Sequence, residues 1–142
     1  MKNNAKIKIV TLSEPLDGTE KDRFELETLG DFYEKNGKFY IIYEETELTG
    51  FKDTTTTVKI SHEAVLLTRK GGVDSRMEFE LNKKRLCNYN TPYGAIPVAT
   101  ELSELSCSLN NFGGGVKIKY SLDFNNEKFA VNTLDITVEM KG

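Results

Sequence analysis

The stretch VKIKYSLDF, residues 116–124, decides how the rest of the chain is read. Val116, Ile118, Tyr120, Leu122 and Phe124 fall on one side of it, and Lys117, Lys119, Ser121 and Asp123 on the other. Successive side chains of an extended strand point to opposite faces, so this period describes a strand with one face in a core and one in water. The same period recurs almost from end to end. RMEFEL separates Met77, Phe79 and Leu81 from Arg76, Glu78 and Glu80, and LDITVEM sets Leu134, Ile136, Val138 and Met140 on one face. Half-buried strands of this kind belong to antiparallel sheets.

The punctuation between strands agrees. Asn36-Gly37 joins RFELETLGDFYEK to KFYIIYEETEL, a strong hairpin signal because both residues tolerate positive φ. Asn125-Asn126, Lys70-Gly71-Gly72 and Gly113-Gly114-Gly115 mark further turns, and Asn82 with the basic cluster Lys83-Lys84-Arg85 caps another hairpin. Thr54–Thr57 is β-branched strand. TELSELSCSL has leucines at both helical and strand spacing and is assigned to a strand by its context; Leu12–Asp22 is assigned to a loop. The count is nine or ten short strands. An open sheet of that width leaves two long edges, whereas sequential hairpins lead to an up-and-down barrel whose closure removes them. The expectation is therefore an all-β chain forming a single antiparallel up-and-down β-barrel of about eight to ten strands over residues 1–142, with a two-sheet sandwich as the alternative. A barrel of this size is filled by side chains or holds one small ligand.

Composition narrows the function classes. A chain of 142 residues with 38% hydrophobic and 29% charged residues fits one globular domain with a substantial core. A net charge of −3 argues against a cationic surface for nucleic acid. The N-terminal MKNNAKIKIV alternates charge and aliphatic and lacks the apolar centre of a signal peptide, and no run approaches the length of a membrane helix. The expectation is a cytoplasmic protein with no membrane partner and with reduced thiols at Cys87 and Cys107, which would bridge only from neighbouring positions.

Catalytic signals are sparse. His62, the single histidine, sits at a turn with no nucleophile or orienting partner at a recognisable spacing. One histidine and two distant cysteines offer no metal set, and the glycine run lacks the Lys-Ser/Thr of a phosphate loop. No cofactor, metal or catalytic residue is expected. The informative positions are polar residues that parity directs inward. Arg69 shares the face of Val65 and Leu67. In YIIYEE, Tyr40, Ile42 and Glu44 form one parity class and Phe39, Ile41 and Tyr43 the other, so Glu44 and Arg69 are both candidates for the interior. An inward arginine needs a partner, either a carboxylate of the chain or the acidic group of a ligand. Tyr43, Tyr89, Tyr93 and Tyr120 offer apolar rings with polar tips, suited either to a pocket or to a core. YNTPYGAIPVAT, residues 89–100, forms a corner: Thr-Pro-Tyr-Gly fits a type I turn, Pro97 marks an edge or bulge, and Tyr93 is placed at the barrel mouth as a candidate gate.

TRKGG, MEFEL, YNTPYG and VKIKYSL, in that order and preceded by YIIYEE and TTVKI, resemble the YwiB-like family of small bacterial proteins of unknown function across roughly Asp22 to Met140. The resemblance implies a calycin-like, lipocalin-like barrel, a dimer, and a Gram-positive source. It implies no established activity and carries over no catalytic residue. Three functions follow as expectations. The first is a binding module that takes a small amphipathic or apolar ligand, with Arg69 holding an acidic head. The alternative is a filled barrel that self-associates, suggested by the apolar residues on both faces of FYIIY. The third is an enzyme using a lone acid such as Glu44.

Overall fold

The computed structural model describes residues 3–46, 52–72, 74–91 and 94–141, and of residues 89–91 the backbone alone. Within these the chain forms ten strands and no helix. They are β1 (Ala5–Pro15), β2 (Asp22–Lys35), β3 (Lys38–Glu44), β4 (Thr54–Ile60) and β5 (Ala64–Gly71), then β6 (Ser75–Glu80), β7 (Lys84–Thr91), β8 (Gly94–Cys107), β9 (Gly113–Phe124) and β10 (Glu127–Met140). Their order in the sheet is β6-β5-β4-β3-β2-β1-β10-β9-β8-β7, with every ladder antiparallel. The product is a meander rolled into a nearly closed barrel, as the alternation predicts. Asn36 and Gly37 take φ of 54° and 77°, and Asn125 and Asn126 take 52° and 63°. These are the left-handed conformations that match a tight turn to the twist of its strands.

Closure is made where the chain begins and ends. β1 pairs with β10 from Ala5↔Met140 to Pro15↔Ala130, so neither terminal strand is an edge. The interruption lies instead between β6 and β7, which follow one another in sequence but share no ladder. Side chains and isolated bonds close this seam. Thr100 Oγ1 donates to the Glu78 carbonyl at 2.7 Å, Asn82 N–H to the Leu102 carbonyl at 2.9 Å, and Arg85 meets Glu80 at 2.8 Å.

We call the end that carries the termini and the β2–β3 turn the lower end. Its core is dense: Ile7, Ile41, Val58, Val65, Phe79, Leu102 and Ile136 are buried, and Phe32 stacks on Phe39 with centroids 5.9 Å apart. One segment departs from the sequence reading, and another follows it. Leu12–Pro15 belongs to β1 and only residues 16–21 form the connection. TELSELSCSL is strand as far as Cys107, as its context implied, with a bulge between Leu102 and Glu104. Leu102 pairs with Tyr120 and Leu105 with Ile118, so the extra residue Ser103 accounts for the helix-like spacing of the two leucines.

Gly30 allows the wall its tight approach here. A Cβ at this position would meet the Ile42 carbonyl oxygen and Ile7 Cδ1 well inside van der Waals contact. Gly30→Ala is accordingly expected to lower the unfolding free energy by roughly 1–3 kcal/mol, the range for overpacking a full core. Urea denaturation reads this directly; an unchanged midpoint would show that the wall relaxes around a methyl group.

Candidate functional site

The interior changes character at one height. On β1 the inward residues run Ile7, Ile9, then Thr11 and Ser13; on β4, from the lower end, Ile60, Val58, then Thr56 and Thr54. β5 gives Val65, Leu67, Arg69; β6 gives Phe79, Met77, Ser75; β10 gives Ile136, Leu134, Asn132. Below the change, Val58, Val65, Val116, Ile118 and Ile136 leave a space of only about 10 Å³. Above it lies a cavity of about 420 Å³. Its apolar part is formed by Ile9, Leu26, Leu67, Met77, Phe79 and Leu134, and its polar part by Tyr43, Glu45, Arg69, Tyr120 and Asn132.

Ladder register brings the polar side chains of one wall together. Tyr43, Thr56, Arg69 and Ser75 are successive partners across β3, β4, β5 and β6. Glu45 lies one residue beyond β3, and its N–H donates to the Thr54 carbonyl at 2.8 Å, which extends the β3–β4 pairing far enough to keep the side chain inward. The Glu45 side chain is only 3% exposed. Its Oε1 accepts from Thr56 Oγ1 at 2.7 Å and lies 3.8 Å from Arg69 Nε. Burial, and next the charge of Glu45, push the Tyr43 hydroxyl above the ordinary phenol range, so it stays neutral and can donate. The opposite wall carries a second chain of bonds: Ser13 Oγ donates to Asn132 Oδ1 at 2.9 Å and Asn132 Nδ2 to Tyr120 Oη at 3.4 Å. The Tyr120 ring packs against Phe79 with centroids 4.4 Å apart.

Of the sequence candidates, Arg69, Tyr43 and Tyr120 line this cavity. Glu44 does not: it is exposed on the outer face, and Glu45 occupies the inward place beside Arg69. The slip has a physical origin. Both parity classes of FYIIY are apolar because the outer one is also partly covered, Tyr40 stacking on Tyr33 at 4.9 Å beneath Lys59 Nζ at 5.9 Å. Tyr89 contributes backbone to β7 opposite Ile96, and its side chain lies outside the described residues, as do Pro92 and Tyr93 entirely. Thr91 and Gly94 form the last pair of the β7–β8 ladder. His62 is exposed in the β4–β5 turn. Among the described residues no three His, Cys, Asp or Glu side chains gather in a way that could hold a metal ion. Cys87 and Cys107 are both free. Cys87 faces Val98, which places it roughly 30 Å along β8 from Cys107 at ~3.3 Å per residue.

Sequence reasoning missed Glu45, Thr56, Ser13 and Asn132. The signal was present as polar residues continuing an apolar parity class at the same end of several strands.

The molecule is thus an all-antiparallel barrel, packed at one end and hollow with a polar wall at the other. The chain belongs to the family described as Domain of unknown function (DUF1934), whose model matches residues 7–136. It is 27% identical over 140 residues to the uncharacterized beta-barrel protein YwiB of Bacillus subtilis (strain 168), over 98% of this chain and 96% of that one. The crystal structure of the ywiB protein from Bacillus subtilis superposes on the whole of this chain and 96% of its own, with a TM-score of 0.77 at 24% identity, a likeness of fold.

The buried phenol gives a pH dependence of known sign. Below about pH 10 tyrosine is neutral in both folded and unfolded chains. Above it the unfolded chain releases the proton while folded Tyr43 retains it, so stability falls as pH rises, by up to about 1.4 kcal/mol per pH unit for one proton. Urea titrations between pH 9 and 11 are expected to show a steeper loss for the wild type than for Tyr43→Phe. Parallel curves would mean that the phenol ionises freely in the folded state.

Proposed function

We propose that this barrel is a binding module that holds one small amphipathic molecule in its upper half. The observation that carries the reading is the coincidence of the cavity with the change from apolar to polar inward residues. A barrel selected for stability alone would continue its aliphatic layers to the rim, because buried ion pairs rarely outdo well-packed apolar residues. Here Glu45, Arg69, Thr56 and Asn132 occupy inward positions that aliphatic side chains would otherwise fill. About 420 Å³ falls within the range of small-molecule sites, which combine an apolar lining with a few placed polar groups. Native mass spectrometry of the purified protein, followed by a thermal-shift screen of amphipathic compounds, tests the reading. A ligand at 100 times its Kd should raise Tm by roughly 5–10 °C. Met77→Trp, which fills the cavity from β6, should abolish that rise while leaving the β-sheet circular dichroism unchanged. No shift with any compound, or a shift that survives the filling, would remove the reading.

A second reading, self-association, is favoured by β7. Leu86 to Thr100 contains no charged residue in a chain that is 29% charged. β7 ladders with β8 alone, and Leu86 on it is 86% exposed. An uncharged edge is a template for a further strand, and the same edge of a second copy satisfies it with two-fold symmetry. Sedimentation equilibrium at micromolar concentration should then show a dimer that Leu86→Lys converts to monomer. A wild-type chain that remains monomeric up to roughly 100 μM excludes this mode.

A further inference from the structure

The charges lining the cavity select among ligands. Three described lining residues are charged: Asp22 at the mouth, and Glu45 and Arg69 inside. Asp22 is exposed to solvent, whereas the Glu45 and Arg69 side chains are 3% and 18% exposed. Among the described residues inside, therefore, one carboxylate stands against one guanidinium at 3.8 Å, and these two charges balance each other before any ligand arrives. Thr56 already donates to the same Glu45 oxygen at 2.7 Å.

Resting on the binding function proposed above, we infer that the cavity takes a molecule whose polar end is uncharged, an alcohol or an amide, and discriminates against a carboxylate. An acidic head that reached Arg69 would come close to the Glu45 carboxylate, in a setting where burial weakens screening. An ammonium head faces the converse conflict with the guanidinium. An uncharged head meets neither. The facing wall supplies what such a head needs, since Asn132, Ser13 and Tyr120 carry amide and hydroxyl groups that both donate and accept. The inference differs from the expectation that Arg69 holds an acidic group, because the chain's own Glu45 lies 3.8 Å from its Nε.

The test is a matched series read by isothermal titration calorimetry on the full chain. Octyl and naphthyl bodies each carry a hydroxymethyl, carboxamide, carboxylate or aminomethyl head. The alcohol or amide is expected to bind at least ~10-fold tighter than the carboxylate and the ammonium compound of the same body. Glu45→Gln keeps the shape and an oxygen acceptor for Thr56 but removes the opposing charge, and should raise the affinity of the carboxylate relative to the alcohol of the same body by ~10-fold or more. Arg69→Gln, the companion variant should Glu45→Gln fail to fold, should weaken the carboxylate further and favour the ammonium compound. A charged head binding best to the wild type, or a preference that neither variant moves, overturns the inference while leaving the binding function in place. Binding by no member of either series removes both.

Discussion

The β1–β10 ladder is the constraint on which the rest of the barrel depends. Its eleven residue pairs join the first strand to the last, and without them Ala5–Pro15 and Glu127–Met140 would border a gap. A sheet closed at that point has an inside, and the inside must be either filled or hollow. Closure also displaces the imperfection to β6 and β7, the one pair of consecutive strands that share no ladder. There Thr100, Asn82 and Arg85 substitute isolated bonds for a backbone ladder. The ion pairs among them are largely exposed and each contributes little, on the order of 0–1 kcal/mol. The ordering is thus carried by the termini, and the seam is the weakest line in the wall.

Within the closed wall the two ends divide the work. The lower layers bury Ile7, Ile41, Val58, Val65 and Ile136 with almost no free space, and they account for the hydrophobic stabilisation. The upper layers bury a carboxylate and a guanidinium together, a neighbouring phenol and an amide. Such groups are tolerated because each meets a partner: Glu45 meets Arg69 and Thr56, and Asn132 meets Ser13 and Tyr120. Even a paired polar layer does not improve on an aliphatic one for stability. Its presence at one end alone, around an open volume, is what connects the packing of this protein to binding.

The fold was legible because alternation and turn chemistry are local. Asn36-Gly37 and Asn125-Asn126 require nothing beyond their own backbone, and one-sided strands such as VKIKYSLDF declare their faces. The site was legible only in part, because its residues oppose the rule that reveals the strands. Thr11 and Ser13 end the apolar alternation of β1, so the strand looked finished at Leu12, yet they are inward and line the cavity. Arg69 was recoverable from Val65 and Leu67 by parity. Glu45 was not recoverable in the same way, because FYIIY is apolar on both faces and a one-residue choice of parity exchanges Glu45 for Glu44. Only the spatial neighbours Tyr33 and Lys59 on the outer face decide it.

One irregularity shows how closely cavity and strand register are tied. The Asn125-Asn126 turn sets Glu127 opposite Phe124 and Lys128 opposite Asp123. Continued without interruption, that register would set Phe129 opposite Leu122 and Val131 opposite Tyr120, and both would point inside. The structure instead inserts a bulge between Lys128 and Ala130, so Ala130 faces Leu122 and Asn132 faces Tyr120. Phe129 is left 38% exposed. One extra residue thus exchanges Phe for Ala and Val for Asn on the inner wall, giving the cavity both space and its amide. The same step allows Leu134, Ile136 and Val138 to enter the core lower down. The requirement can be read from the sequence, since the even-numbered apolar residues of LDITVEM conflict in parity with the register of the Asn-Asn turn. A conflict between a turn and the strand that follows it predicts a bulge, and here the bulge helps to hollow the barrel.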